Sequence, residues 1–98
     1  MNSPGGWTVR VTEEAAHVLK MMRAGGESEL HDQLVRFLRA LAIEAGAAIE
    51  ADKPLPGLPM GGEDRRYNVD VHRLPVLISY TPEAELREIR ITDLLWLG

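Results

Sequence analysis

Ninety-eight residues without a single cysteine make one domain with one core, since a chain this short buries only about 60–65 % of its unfolded surface. The missing cysteines exclude disulfides, thiolate nucleophiles and finger-type zinc sites. The formal net charge of −4 argues against a simple nucleic-acid binder, because affinity for phosphate comes largely from Lys and Arg releasing counterions.

In chain order, the opening MNSPGG is expected to be flexible. No basic region followed by an apolar run marks a leader, and no apolar stretch approaches the roughly 20 residues of a membrane span. The expectation is a soluble, cytoplasmic protein with no membrane contact. WTVRV puts Trp7, Val9 and Val11 on one face and Thr8 and Arg10 on the other, the period of a strand. Thr12 is a helix N-cap, with Glu13 and Glu14 in the first turn where the helix dipole favours carboxylates. Ala15, Val18, Leu19 and Met22 recur at helical spacing until Gly25-Gly26 supplies a left-handed stop, so the first helix spans about Glu13 to Ala24. Met21-Met22 is read as core filling rather than as an adaptable binding surface.

Ser28 is the next expected N-cap. Leu30, Leu34, Phe37, Leu38, Leu41 and Ala45 draw an apolar stripe, widened by Val35, Ala42 and Ile43, on a helix reaching about Glu50. Gly46 inside it costs about 1 kcal/mol relative to Ala. The two-glycine link predicts an antiparallel helix pair. KPLPGLPMGGED has no periodicity and is a loop, with Leu55, Leu58 and Met60 expected to pack down.

Three strands are expected after it. In RRYNVDV, Tyr67, Val69 and Val71 alternate with Arg66, Asn68, Asp70 and His72. LPVLISY is apolar on both faces, as in a central strand covered on two sides. A turn at Thr81-Pro82-Glu83-Ala84 leads into LREIRITDLLWLG. Uniform alternation there sends Ile89, Ile91, Asp93, Leu95 and Leu97 towards the helices and Glu88, Arg90, Thr92, Leu94 and Trp96 to the other side. The fold class predicted is α+β: two layers, a helical hairpin packed on a mainly antiparallel four-stranded sheet, in the order β-α-α-β-β-β.

The WTVRV strand followed by T-E-E-A, the helical hairpin, the L-P-G-L-P turn, and then Y-N-V-D-V, L-P-V-L-I-S-Y and I-R-I-T-D-L-L resemble the RelE/ParE superfamily of bacterial toxins, from Trp7 to Trp96. The resemblance implies the toxin-like component of a type II toxin–antitoxin pair, with a cognate antitoxin as partner and the ribosome or DNA gyrase as target. It implies no cofactor. In the family's ribosome-dependent endoribonucleases, basic residues on the second and third strands and a basic or aromatic residue past the last strand surround the scissile phosphate. Here the matching strand positions carry Asn68, Asp70 and Pro75, and Leu97-Gly98 stands where the basic tail would begin. None of these side chains is cationic, so the basic groups that would surround and neutralise the scissile phosphate are missing and messenger-RNA cleavage is not expected. The alternative is a non-catalytic protein-interaction module on the same scaffold.

Arg66 and Arg73 with His72 are the remaining catalytic candidates, as a phosphate clamp beside a general base; the simpler reading of His72 is an exposed turn residue. His17 and His31 lie on different helices with no carboxylate at ligand spacing, so no metal site is expected. The partner-binding candidates are Arg10 and Arg90 on the polar face, and Leu94 and Trp96, where the last strand's outer face turns apolar. Exposed side by side, the latter two would anchor a partner segment or a second copy of the chain in a homodimer; otherwise the Pro-rich loop covers them through Leu55, Leu58 or Met60.

Overall fold

The computed structural model describes residues 6–61, 65–71 and 73–97. Strand β1 (Thr8–Val11) leads into helices α1 (Glu13–Ala24) and α2 (Ser28–Glu50), followed by β2 (Leu58–Pro59), β3 (Tyr67–Asp70), β4 (Val76–Glu83), a 3-10 turn (Ala84–Leu86) and β5 (Glu88–Trp96). The class is α+β as expected, but the sheet has five strands, in the order β1-β5-β4-β3-β2, and it is mixed. β1 runs parallel to β5, with Val9 opposite Ile89 and Val11 opposite Ile91, while the other neighbours are antiparallel. The fifth strand, β2, is two residues of the Pro-rich loop laid against β3.

Local chemistry accounts for the helix ends. Thr12 accepts a hydrogen bond from the Ala15 amide at 3.3 Å, capping α1, and its hydroxyl also donates to the Thr92 carbonyl, which ties the cap to β5. At the other end Gly26 adopts φ +84, and the Glu27 amide reaches back to the Met22 carbonyl at 2.9 Å; a Cβ is disfavoured in that left-handed conformation. Ser28 does not cap α2. The helix starts one residue earlier, because the Glu27 carbonyl already accepts from the His31 amide and leaves Ser28 inside the first turn.

Both helices lie on one face of the sheet. Ala15 and Met22 of α1, Leu34, Leu38, Leu41, Ala42 and Ala45 of α2, and Val76, Ile78, Tyr80, Ile89, Ile91 and Leu94 of the sheet form one core. Of the methionine pair only Met22 fills it; Met21 is exposed. Ile43, expected to widen the buried stripe, is also half exposed. Trp7 lies under α2, donating from its indole to Glu50 at 3.3 Å. Gly46 makes room for it: a Cβ there would stand 2.4 Å from the Trp7 ring. The glycine that weakens the helix is therefore the notch that seats a tryptophan.

Tyr80 anchors the Pro-rich loop. Its ring stacks on Tyr67 with centroids 5.5 Å apart, and its hydroxyl donates to the Pro56 carbonyl at 2.7 Å. Gly57 follows at φ +95, so close to β3 that a Cβ would lie 2.6 Å from the Asn68 carbonyl oxygen. Burial first, and then the neighbouring Tyr67 and Glu44, push the Tyr80 phenol far above its ordinary range. The hydroxyl thus stays protonated and able to donate. Of the loop's apolar residues only Leu55 packs against the core, whereas Leu58 and Met60 are exposed.

Two strand expectations are corrected. β4 is central by pairing but covered on one side only, since Val76, Ile78 and Tyr80 are buried while Leu77 is not. It also continues through Thr81, Pro82 and Glu83, and the reversal comes later, at Ala84–Arg87. Pro82 is tolerated because the ladder between β3 and β4 has already ended at the Tyr67–Tyr80 pair, so among the described residues no strand partner there needs its amide hydrogen. In β5 the alternation is broken. Ser79 faces Asp93 but Tyr80 faces Ile91, so Thr92 is an extra residue, a β-bulge. One inserted residue moves every later side chain to the opposite face. Ile89 and Ile91 point to the helices, and beyond the bulge Leu94 and Trp96 do so rather than Leu95 and Leu97.

Candidate functional site

With both helices on one side, the opposite face of the sheet has no covering layer among the described residues. Strand register assigns its contents. β1 contributes Thr8 and Arg10, β3 Asn68 and Asp70, β4 Leu77, Ser79, Thr81 and Glu83, and β5 Glu88, Arg90, Asp93 and Leu95. Arg10 lies opposite Arg90, which lies opposite Thr81. Extending the β3–β4 register by one residue puts Arg66 on the far side of Thr81, so three arginines share one row across four strands.

Each arginine in the row has one carboxylate beside it. Arg10 is 3.6 Å from Glu88, Arg90 is 3.7 Å from Glu83, and Arg66 is 3.6 Å from Asp93. At these lengths and at this exposure the pairs add little stability, and the guanidinium groups can exchange partners. A cleft of about 380 Å³ opens between Arg10, Thr12, Glu83, Leu86, Glu88 and Arg90. The Nε of Arg66 is buried without a hydrogen-bond partner among the described residues, and a lost partner for a charged donor is expensive.

The far end of the same face is apolar. Leu77 and Leu95 are cross-strand neighbours, both exposed, and Leu97 continues their alternation with 62 % exposure. Between the arginine row and these leucines stand Asn68, Ser79 and Asp93; the Ser79 hydroxyl donates to the Asn68 side chain at 2.6 Å. The face therefore runs from charged to hydrogen-bonding to apolar along the strands.

The sequence candidates divide accordingly. Arg10, Arg90 and Arg66 come together. Arg73 does not: it sits exposed at φ +69 in the β3–β4 hairpin, seven residues from Arg66 and so roughly 20 Å away along an extended chain. His72 lies outside the described residues. Leu94 is 7 % exposed inside the core, and Trp96 packs against the core margin. The two do not form an exposed pair, because the Thr92 bulge turns them inward. The exposed apolar group that sequence reading missed is Leu77, Leu95 and Leu97. Its signal was present in Thr92-Asp93, two consecutive polar residues that interrupt an otherwise alternating run.

The positions matched to basic residues of the resembled superfamily carry no cationic side chain. Asn68 accepts from Ser79, Asp70 is exposed opposite Leu77, and the Pro75 carbonyl accepts from the Leu97 amide at 2.7 Å. Among the described residues no group of three His, Asp or Glu side chains is placed to hold a metal ion. Among the described residues no helix is long and apolar enough to cross a membrane. Comparison with protein-family models, with curated proteins and with solved structures finds no match to this chain.

Proposed function

We propose that this chain is the toxin-like component of a bacterial type II toxin–antitoxin pair, held in the cytoplasm by a cognate antitoxin and acting on its target by binding rather than by cutting messenger RNA. The observation that carries the reading is the one-sided sheet: a helical hairpin takes one face and leaves Arg10, Arg66 and Arg90 in a row on the other. The reading rests on the sequence resemblance to the RelE/ParE superfamily, and the ribosome or DNA gyrase is the target class that resemblance implies; the α+β class with a helical hairpin on one sheet face is compatible with it, with one two-residue strand more than expected. Asn68, Asp70 and Pro75 offer no basic group for phosphodiester cleavage.

One observation favours the second reading, a non-catalytic interaction module. Each arginine of the row already has a carboxylate within 3.7 Å, which lowers the pull of this face on a polyanion such as ribosomal RNA. Induced expression in a bacterial host, with growth followed, separates the two. The toxin reading expects growth arrest, relieved by the combined Arg10→Ala, Arg66→Ala and Arg90→Ala substitutions and by co-expression of a short neighbouring reading frame. Unimpaired growth supports the interaction module. Codon-specific messenger-RNA cuts abolished by Arg66→Ala would restore a nuclease.

A further inference from the structure

Between β1 and α2 the helix side of the sheet does not close. Trp7, Val9, Ala42 and Ile43 line a mainly apolar cleft there of about 380 Å³. Most of its wall is fixed by packing: Trp7 and Ala42 are buried members of the core and Val9 packs against it, whereas Ile43 is 50 % exposed. The Trp7 ring is seated over Gly46 and its indole is bonded to Glu50, so it is held in place beside the cleft rather than filling it.

A cation stands on this cleft without a counter-charge. Arg39 lines it, and among the described residues no carboxylate lies within ion-pair distance of the guanidinium. The residues one turn away on α2 are Val35, Arg36, Ala42 and Ile43. None is acidic, so the helix offers Arg39 no partner of its own, in contrast to the three arginines of the open face. A main-chain donor is also unused nearby. The Thr8 and Thr12 amides donate to the Arg87 and Ile91 carbonyls of the β5 side, and by alternation the Val9 amide points away from β5, along the edge beside the cleft.

We propose that this cleft binds a small free alkanoate of about the size of octanoate, its chain against Trp7, Ala42 and Ile43 and its carboxylate on the Arg39 guanidinium and the Val9 amide. Arginine presents a fork of N–H donors that matches a carboxylate, and the amide adds a further bond. Size limits the chain: small-molecule clefts run from about 300 to 1,000 Å³, and this one lies near the lower end. An uninterrupted alkyl chain suits walls this apolar, whereas a peptide terminus carries an amide next to its carboxylate that would have to be buried with it. The inference goes beyond the toxin reading and is independent of it, since it uses neither the arginine row nor growth arrest.

Titration of the intact, isotope-labelled chain tests it, with sodium octanoate, octanol, octylammonium, acetate and acetyl-valyl-leucine as probes at low salt. Octanoate should saturate, shift the Val9 amide, the Ile43 methyls and the Trp7 indole, and bind about five-fold or more tighter than octanol or octylammonium. Acetate, which has the head without the chain, should not saturate over the same range. Arg39→Gln, at an exposed position, should bring octanoate down to the affinity of octanol and leave octanol unchanged, with the unbound spectrum still that of the folded chain. Ile43→Ser should weaken octanoate and octanol alike. Equal binding of the three octyl compounds, an octanoate affinity untouched by Arg39→Gln, no saturation, or shifts confined to Leu77, Leu95 and Leu97 would overturn the proposal. So would tighter binding of acetyl-valyl-leucine than of octanoate, which would assign the cleft to a chain terminus instead.

Discussion

The two faces of the sheet use the same strands for opposite ends. On the helix side Ile78, Tyr80, Ile89 and Ile91 are sealed, and the pairing there holds the molecule together. On the other side the intervening residues of those strands, Ser79, Thr81, Glu88 and Arg90, meet no covering layer among the described residues, and the side-chain partners of Ser79, Glu88 and Arg90 are Asn68, Arg10 and Glu83 of the same face. Stability is thus concentrated on one face, and the other is free to vary its chemistry without unfolding the domain.

The sharpest way to break this contrast is to truncate one residue on each face of β5. Ile91→Ala should cost about 2–5 kcal/mol, as for a sealed aliphatic side chain that leaves a cavity. Leu95→Ala, 53 % exposed, should stay within about 1 kcal/mol of the parent. Chemical denaturation of the pair measures both, and equal losses would mean that the open face is covered after all.

A second experiment probes the notch under α2. Helix propensity alone predicts that Gly46→Ala stabilises by about 1 kcal/mol. The added methyl meets the Trp7 ring at 2.4 Å, and overpacking of this kind costs about 1–3 kcal/mol, so net destabilisation with altered tryptophan fluorescence is expected. Gly61, with nothing within 4 Å of a Cβ, is the control; Ala there should leave the fluorescence unchanged.

Tyr80→Phe tests how the loop is tied to the covered face. Removing the donor to Pro56 should cost about 1–2 kcal/mol and raise hydrogen exchange in residues 52–59. It should also alter the alkaline limb of stability. The folded phenol is held above its ordinary value of about 10, so the unfolded chain gives up its proton first. The stabilisation is complete below about pH 10 and is lost as pH rises beyond it, because there the unfolded state binds fewer protons. The Phe variant should show a shallower decline above pH 10. The smallest effect is expected on the open face: Arg90→Ala or Glu83→Gln should shift thermal stability by less than about 0.5 kcal/mol.

Much of the fold was legible residue by residue. Thr12, the Gly25-Gly26 stop and the apolar stripe from Leu34 to Ala45 mark the helices through local hydrogen bonding and period, which need no partner to be recognised. Tyr67 and Val69 likewise showed their face. The arginine pair Arg10 and Arg90 was visible as polar-face residues, but not that they are neighbours, because the parallel pairing of β1 with β5 joins segments some eighty residues apart.

What the sequence determined alone is the set of local conformations: two helices, the first capped by Thr12, the strand periods and the loop between them. The tertiary structure decided the rest. Which face each half of β5 presents depends on a single unpaired residue, Thr92, whose hydroxyl donates to the Ser79 carbonyl and whose own carbonyl accepts from Thr12. Those contacts lie across strands and across a helix cap, so no window of neighbouring residues contains them. The same holds for Gly46, read locally as a helix weakness and explained only by the tryptophan that arrives from β1. Periodicity records what each residue prefers; which preference prevails is set by partners that the folded chain alone brings together.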